Sequence, residues 1–273
     1  VIEKFVRESL AEDVGRGDLY ALVEPSVAVR GHIIAKSDAV LAGVAYVDML
    51  AQKVDPFEIV WRVGEGEAYR AGEVIATFEG ESHTMLRVER TMLNILHHAS
   101  GIATLTRRFV ELCAPYGVRV LDTRKTRPML RVFEKYASRI GGAVNHRMGL
   151  DDALMLKDTH LKTIPNLKAY IDKARTQIPF TTTIEVEAET VQGAIDAMQA
   201  GADIVMCDNM TPDMVREVVA YRNAHYAHIR LEASGNISLA TVEAYAQTGI
   251  DAISTGSTIH QAVWPDMSMK IDG

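Results

Sequence analysis

Between Arg119 and Lys157 the chain carries nine lysines and arginines against four acids. This segment of +5 lies in a protein of 273 residues whose formal charge is −7. Arg124, Lys125 and Lys157 each follow a short apolar run, the position of a strand end. A cation held half-buried costs several kcal/mol unless an anion pairs with it, so convergent cations imply a ligand bearing phosphate or carboxylate. The arginine fork suits a planar carboxylate, and lysine suits phosphate as a point charge. Arg131, Lys135 and Arg139 instead read as a solvated helix face. His146, in the glycine-flanked Asn145-His146-Arg147, is divided between anion binding and a structural role, and His160, three residues after Lys157, either orients that lysine or joins the site. Glu185 and Glu187 alternate along one strand and share a face, although a surface sheet would present the same pair. With Asp208-Asn209 after the next apolar run, they suggest contacts to sugar hydroxyls or to a divalent metal held through phosphates and waters. Ser234-Gly235-Asn236 and Thr255-Gly256-Ser257 follow the last two apolar runs, where glycine admits a ligand close to the backbone and a following helix favours an anion.

These residues need a scaffold that gathers strand ends. From Gly117 onward, β-branched runs (Val118–Leu121, Ala153–Leu156, Thr182–Val186, Ile204–Met206, Ile229–Leu231, Ala252–Ser254) alternate with helical patterns at Leu167–Thr176, Thr190–Ala200, Pro212–Ala224 and Leu239–Thr248. Repeated β-then-α units predict parallel strands joined by crossover helices. An open doubly wound sheet also collects ligands at strand ends, but candidates after every strand fit a ring better. Six or seven strands in this length predict an incomplete α/β barrel, covered on one side by other structure. The first hundred residues read differently. Short β-rich runs at Gly31–Ala35, Glu58–Val63 and Glu73–Phe78 are punctuated by glycines and predict a compact α+β domain with tight hairpins. A helix at Met85–Leu96 follows, and Ser100 reads as the N-cap of a second helix towards Tyr116.

Composition removes several classes. A pI near 5.7 argues against a nucleic-acid coat or a cationic membrane binder. No apolar run approaches the ~20 residues of a membrane span. The first residues carry no secretory signal core, and the absence of Met at position 1 fits a trimmed or partial N-terminus. Two cysteines, Cys113 and Cys207, are too few for a disulfide scaffold and read as reduced core residues, so the expected compartment is the cytoplasm. No GxGxxG follows any strand.

Several motifs occur in order: Glu89-Arg90-Thr91-Met92-Leu93-Asn94, Ser100-Gly101-Ile102-Ala103-Thr104, Asp122-Thr123-Arg124-Lys125-Thr126 and Glu134-Lys135-Tyr136-Ala137. Asn145-His146-Arg147-Met148-Gly149-Leu150, Glu185-Val186-Glu187, Asp208-Asn209-Met210 and Ser234-Gly235 complete the set. Together they resemble the quinolinate phosphoribosyltransferase family over nearly the whole chain. The resemblance implies an N-terminal α/β sandwich over residues 1–103, joined by the tail from about 260 to 273. It also implies an open, about seven-stranded α/β barrel over 104–259. It implies transfer of phosphoribosyl from phosphoribosyl pyrophosphate to quinolinate with loss of CO₂, giving nicotinate mononucleotide, with Mg²⁺ carried mainly by the pyrophosphate near Glu187 and Asp208. Quinolinate recognition falls on Arg90, Arg124, His146, Arg147 and Lys157. Phosphoribosyl pyrophosphate falls on Lys125, Lys157, Glu187, Asp208, Ser234, Gly235 and Gly256, while Thr123, Asn236, Thr255 and Ser257 belong to the same strand-end loops. Lys125, Lys157, Glu187 and Asp208 carry the chemistry in this reading. The resemblance further implies a homodimer whose Arg90 completes the neighbour's site, with assembly beyond the dimer left open. Met129 stands where the family usually has glycine, Tyr20 replaces a usual Thr, Thr159 an Asn and Cys207 a common Leu. Two rivals are another phosphoribosyltransferase on the same scaffold and an anion-binding barrel without catalysis.

Overall fold

The computed structural model describes residues 1–272 and divides the chain into two units. The first comprises Val1–Leu105, Tyr136–Gly141 and the described part of Ala262–Gly273, and the second Thr106–Lys135 with Gly142–Gln261. The separate return of Tyr136–Gly141 to the first unit was not expected from the sequence. Its basis is visible in Tyr136, which donates to Glu65 (2.6 Å) and packs its ring against Tyr46 at 5.0 Å.

In the first unit an antiparallel sheet orders the strands Met267–Ile271, Ala28–Ala35, Val74–Glu81 and Glu58–Trp61. The chain's tail is thus an edge strand of the N-terminal sheet, paired in register from Gly31↔Ile271 to Ala35↔Met267. Residues Ser82–Cys113 form one uninterrupted helix of 32 residues, not the two that a Ser100 cap predicts. Ser100 serves tertiary structure instead: its hydroxyl accepts the Ala42 amide (3.0 Å) and donates to the Ala42 carbonyl (3.2 Å). A Cβ at Gly101 would lie 2.6 Å from the Val263 carbonyl oxygen, so glycine here admits the returning tail rather than ending a helix. No helix among the described residues is long and apolar enough to cross a membrane.

The second unit is a parallel sheet in the order Arg119–Leu121, Ala252–Ser254, Arg230–Ser234, Ile204–Asp208, Ile184–Ala188 and Leu154–Leu156. A single parallel bridge, Leu121↔Val144, adds the rudiment of a seventh position beside the first strand. The first strand of this unit, Arg119–Leu121, pairs with its last, Ala252–Ser254, which curls the sheet into the open barrel. Helices Leu167–Arg175, Val191–Ala200, Pro212–His225 and Val242–Ala246 fill the crossovers. Asn166, Thr190 and Thr211 cap the first three, each side-chain oxygen accepting a backbone N–H in the first turn. Strand Ile184–Ala188 is buried at every residue, as both-face coverage of a parallel strand requires. Cys113 and Cys207 are free and buried.

Candidate active site

At the C-terminal ends of the barrel strands lies a cavity of about 460 Å³. It is lined by Thr123, Arg124, Lys125, His146, Arg147, Lys157, Glu187, Asp208, Ser234, Gly235 and Asn236, eleven residues that the sequence had singled out. Two of the turns that carry them use left-handed backbone, one at Asn209 (φ 54°) and the other at Gly235 (φ 91°) and Asn236 (φ 52°). At Gly235 a Cβ would lie 2.3 Å from Asn209 Oδ1, so only glycine fits between the two strand ends.

The Asn145-His146-Arg147 loop is held from beneath by a buried ion pair. Lys135 and Asp122, 1% and 0% exposed, are joined directly. Asp122 also accepts from Asn145 Nδ2 (2.5 Å) and from the His146 amide (2.8 Å). Lys135 Nζ donates to the carbonyls of His146 (2.8 Å) and Arg147 (3.2 Å). The assignment of Lys135 to a solvated helix face is therefore wrong, although Arg139 on the same helix is exposed. Arg147 is oriented by the Ala153 carbonyl (3.1 Å), and burial and the charge of Arg124 lower its pKa.

Lys157 Nζ donates to Glu187 Oε2 at 2.5 Å. Beside them, Asp208 accepts from Asn209 Nδ2 (2.7 Å). Burial, then the charge of Glu187, hold Asp208 above the ordinary carboxylate range against the pull of Lys157 and Lys125. Deeper in the barrel, His146 Nε2 lies 3.2 Å from Glu185 Oε2 and 3.3 Å from Glu232 Oε2. Burial opposes charge on this ring, but its bonds to Glu185 and Glu232 outweigh burial and push His146 up to about 10.

Five expected residues do not line the cavity. Arg90 belongs to the first unit, where it is exposed and forms no ion pair among the described residues. His160 is exposed, and its Nδ1 accepts the Lys157 amide (3.0 Å), so it braces that lysine's backbone. Thr255 and Ser257 shape their own turn through a 3.2 Å bond from the Ser257 amide to the Thr255 hydroxyl. Gly256 makes room for Lys125, whose Cδ would be 3.0 Å from an added Cβ. The sequence reading missed Glu232 and Ser254, which do line the cavity. An acid inside the apolar strand Leu231-Glu232-Ala233 was the available signal for the first.

A parallel barrel that gathers cations and carboxylates at its strand ends has the make-up of a barrel enzyme acting on polyanionic substrates. The chain matches two family profiles, the quinolinate phosphoribosyl transferase N-terminal domain over residues 18–100 and C-terminal domain over 102–270. It is 40% identical to a probable nicotinate-nucleotide pyrophosphorylase [carboxylating] of Synechocystis, covering 99% of this chain and 92% of that protein. A counterpart in Methanothermobacter thermautotrophicus is 38% identical, over 98% of each chain. The solved nicotinate-nucleotide pyrophosphorylase of Francisella tularensis superposes with a TM-score of 0.91 at 32% identity, covering 99% of this chain and 96% of that one. The chain belongs to the quinolinate phosphoribosyltransferase family, whose activity lies in NAD biosynthesis.

Proposed function

We propose that this chain transfers the phosphoribosyl group of phosphoribosyl pyrophosphate to quinolinate, releasing pyrophosphate and CO₂ and leaving nicotinate mononucleotide. One observation carries the reading: the cavity brings Arg124, Lys125, Arg147 and Lys157 together with carboxylates that include Glu187 and Asp208. Opposed charges in one cavity suit a substrate with phosphates at one end and an electron-poor ribose carbon in the middle. A simple anion-binding barrel has no use for the acids.

The pyridine nitrogen attacks the anomeric carbon as the bond to pyrophosphate breaks. Lys125 and Lys157 face the charge that grows on the departing oxygen, a preorganised electrostatic contribution. Glu187 and Asp208 hold the ribose hydroxyls and favour positive charge at the anomeric centre. Arg124, His146 and Arg147 receive the pyridine dicarboxylate. The donor chemistry near Asp208, a half-buried carboxylate among lysines, fits Mg²⁺ held through phosphate oxygens and water. Mg²⁺ supplies charge neutralisation on the pyrophosphate.

Arg90, exposed in the first unit, completes the dicarboxylate site of a second copy in a two-fold dimer. The cytoplasm is the compartment for this chemistry, and two unpaired cysteines support it. Incubation with phosphoribosyl pyrophosphate, Mg²⁺ and either quinolinate or nicotinate tests the reading. Quinolinate is consumed with CO₂ release, and nicotinate is not, because a site built for two carboxylates would leave cations unpaired around one. Comparable turnover of nicotinate refutes the assignment.

A further inference from the structure

A second cavity, of about 690 Å³, opens at the opposite end of the barrel, where Arg119, Thr183, Ile204, Arg230 and Ala252 mark the N-terminal ends of the strands. His146 and Glu232 line both cavities, and Glu185 lines only this rear one. The three side chains form a buried bridge through the barrel, Glu185 and Glu232 being 1% and 2% exposed. Each glutamate also has one buried oxygen, Oε1, without a hydrogen-bond partner. Two buried carboxylates sharing one imidazole cannot all be charged cheaply, and an unsatisfied buried oxygen is costly.

The tautomer of His146 is set by its surroundings. In its neutral form the ring accepts the Arg147 amide at Nδ1 (2.8 Å) and carries its proton on Nε2, the nitrogen that faces both glutamates. A metal-bound histidine has the reverse pattern, donating from its free nitrogen to an acceptor, so these three residues are arranged around protons rather than an ion.

Resting on the proposed decarboxylating transfer, we propose that Glu185, His146 and Glu232 form a proton relay from the rear cavity to the substrate. When the C2 carboxylate of the ribosylated pyridine leaves as CO₂, the bonding electron pair stays on C2. That carbon takes a proton from the His146–Glu232 pair, forming the C–H bond. Glu185 restores the proton, drawing it from solvent in the rear cavity. Electrons and protons balance without any oxidant or further reactant. Glu185 acts through His146, while His146 and Glu232 meet the substrate.

Glu185→Gln and Glu232→Gln keep shape and remove the acidic carboxyl proton. Each is expected to lower kcat by about 10²–10⁴, the usual range for a lost general acid, and to raise the solvent deuterium isotope effect on kcat above the wild-type value. Quinolinate affinity of Glu185→Gln, read by calorimetry, stays near wild type. Thr183→Phe, which narrows the rear cavity, is a second perturbation outside the cluster and should reproduce the isotope effect more weakly. The relay is overturned if kcat and the isotope effect are unchanged. It is equally overturned if kcat falls with an unchanged isotope effect and weakened quinolinate binding, which marks a purely orienting pair. A stoichiometric metal lost on Glu185→Gln also overturns it. Failure of the wild type to release CO₂ from quinolinate refutes the proposed function instead, so the two failures are distinguishable.

Discussion

Lys135→Ala offers a direct test of how the substrate loop is held. The lysine is 1% exposed and bonds to Asp122, which is 0% exposed, and to the carbonyls of His146 and Arg147. Truncation leaves the carboxylate buried without its counter-charge, a change that typically costs about 3–5 kcal/mol. Against a total stability of about 5–15 kcal/mol, this is a large share. Asp122 retains its bonds from Asn145 and the His146 amide, so the low end of that range is the better expectation. The loop also loses two anchors at His146 and Arg147, the residues proposed to meet quinolinate, and a misplacement of about 1 Å can cost about 10²-fold in rate. Urea unfolding, followed by fluorescence, reads the first effect, and steady-state kcat of the folded fraction reads the second. The double variant Asp122→Asn, Lys135→Met should be more stable than Lys135→Met alone, because the amide still accepts the His146 N–H while no charge is buried. A shift of Lys135→Ala within about 1 kcal/mol of the exposed control Arg139→Ala, with kcat intact, refutes this reasoning.

Three further outcomes follow from the site and its turns. Lys125→Ala and Lys157→Ala should each lower kcat by about 10²–10³, but only Lys157→Ala should also lower the melting midpoint, since it strands Glu187, 7% exposed. Mixing inactive Arg90→Ala with inactive Lys125→Ala under subunit exchange should restore about a quarter of wild-type activity, because half the dimers are mixed and each regains one site. No recovery despite demonstrated exchange places Arg90 in its own chain's site. Met129→Gly should stabilise the protein by about 1 kcal/mol in thermal unfolding: Met129 has φ 66° and is 96% exposed, so glycine relieves backbone strain without losing packing.

The barrel was legible because parallel strands buried on both faces leave continuous apolar runs, and the run Ala252–Ser254 coincides with the observed strand. The residues directly after those runs were legible for the same reason, since chemistry at strand C-termini needs no knowledge of side-chain packing. What failed depended on partners distant in sequence. Ser100-Gly101 has the composition of a helix boundary, yet its neighbours are Ala42 and Val263. Lys135 sits thirteen residues from Asp122, and nothing in helical periodicity distinguishes it from the exposed Arg139. Met129, standing where the family usually has glycine, was visible as a departure. Its meaning, a left-handed backbone that a methionine must tolerate, required the structure.

The basic segment separates into two kinds of cation. Lys135 is committed to Asp122 and Lys157 to Glu187, whereas Arg124, Lys125 and Arg147 form no ion pair with an acid among the described residues. Only the second kind leaves positive charge uncompensated at the cavity, a field that would draw the proposed dicarboxylate and pyrophosphate to the same mouth. Lys157 differs from Lys135 in facing the cavity, which Lys135 does not line. The pairing of Lys157 with Glu187 compensates both charges in the structure as it stands. Phosphate oxygens and ribose hydroxyls can then replace each partner for the other without exposing a bare charge. An exchange of this kind costs less reorganisation than desolvating two isolated ions. It therefore accounts for the placement of an ion pair directly between the groups assigned to the leaving pyrophosphate and the reacting sugar.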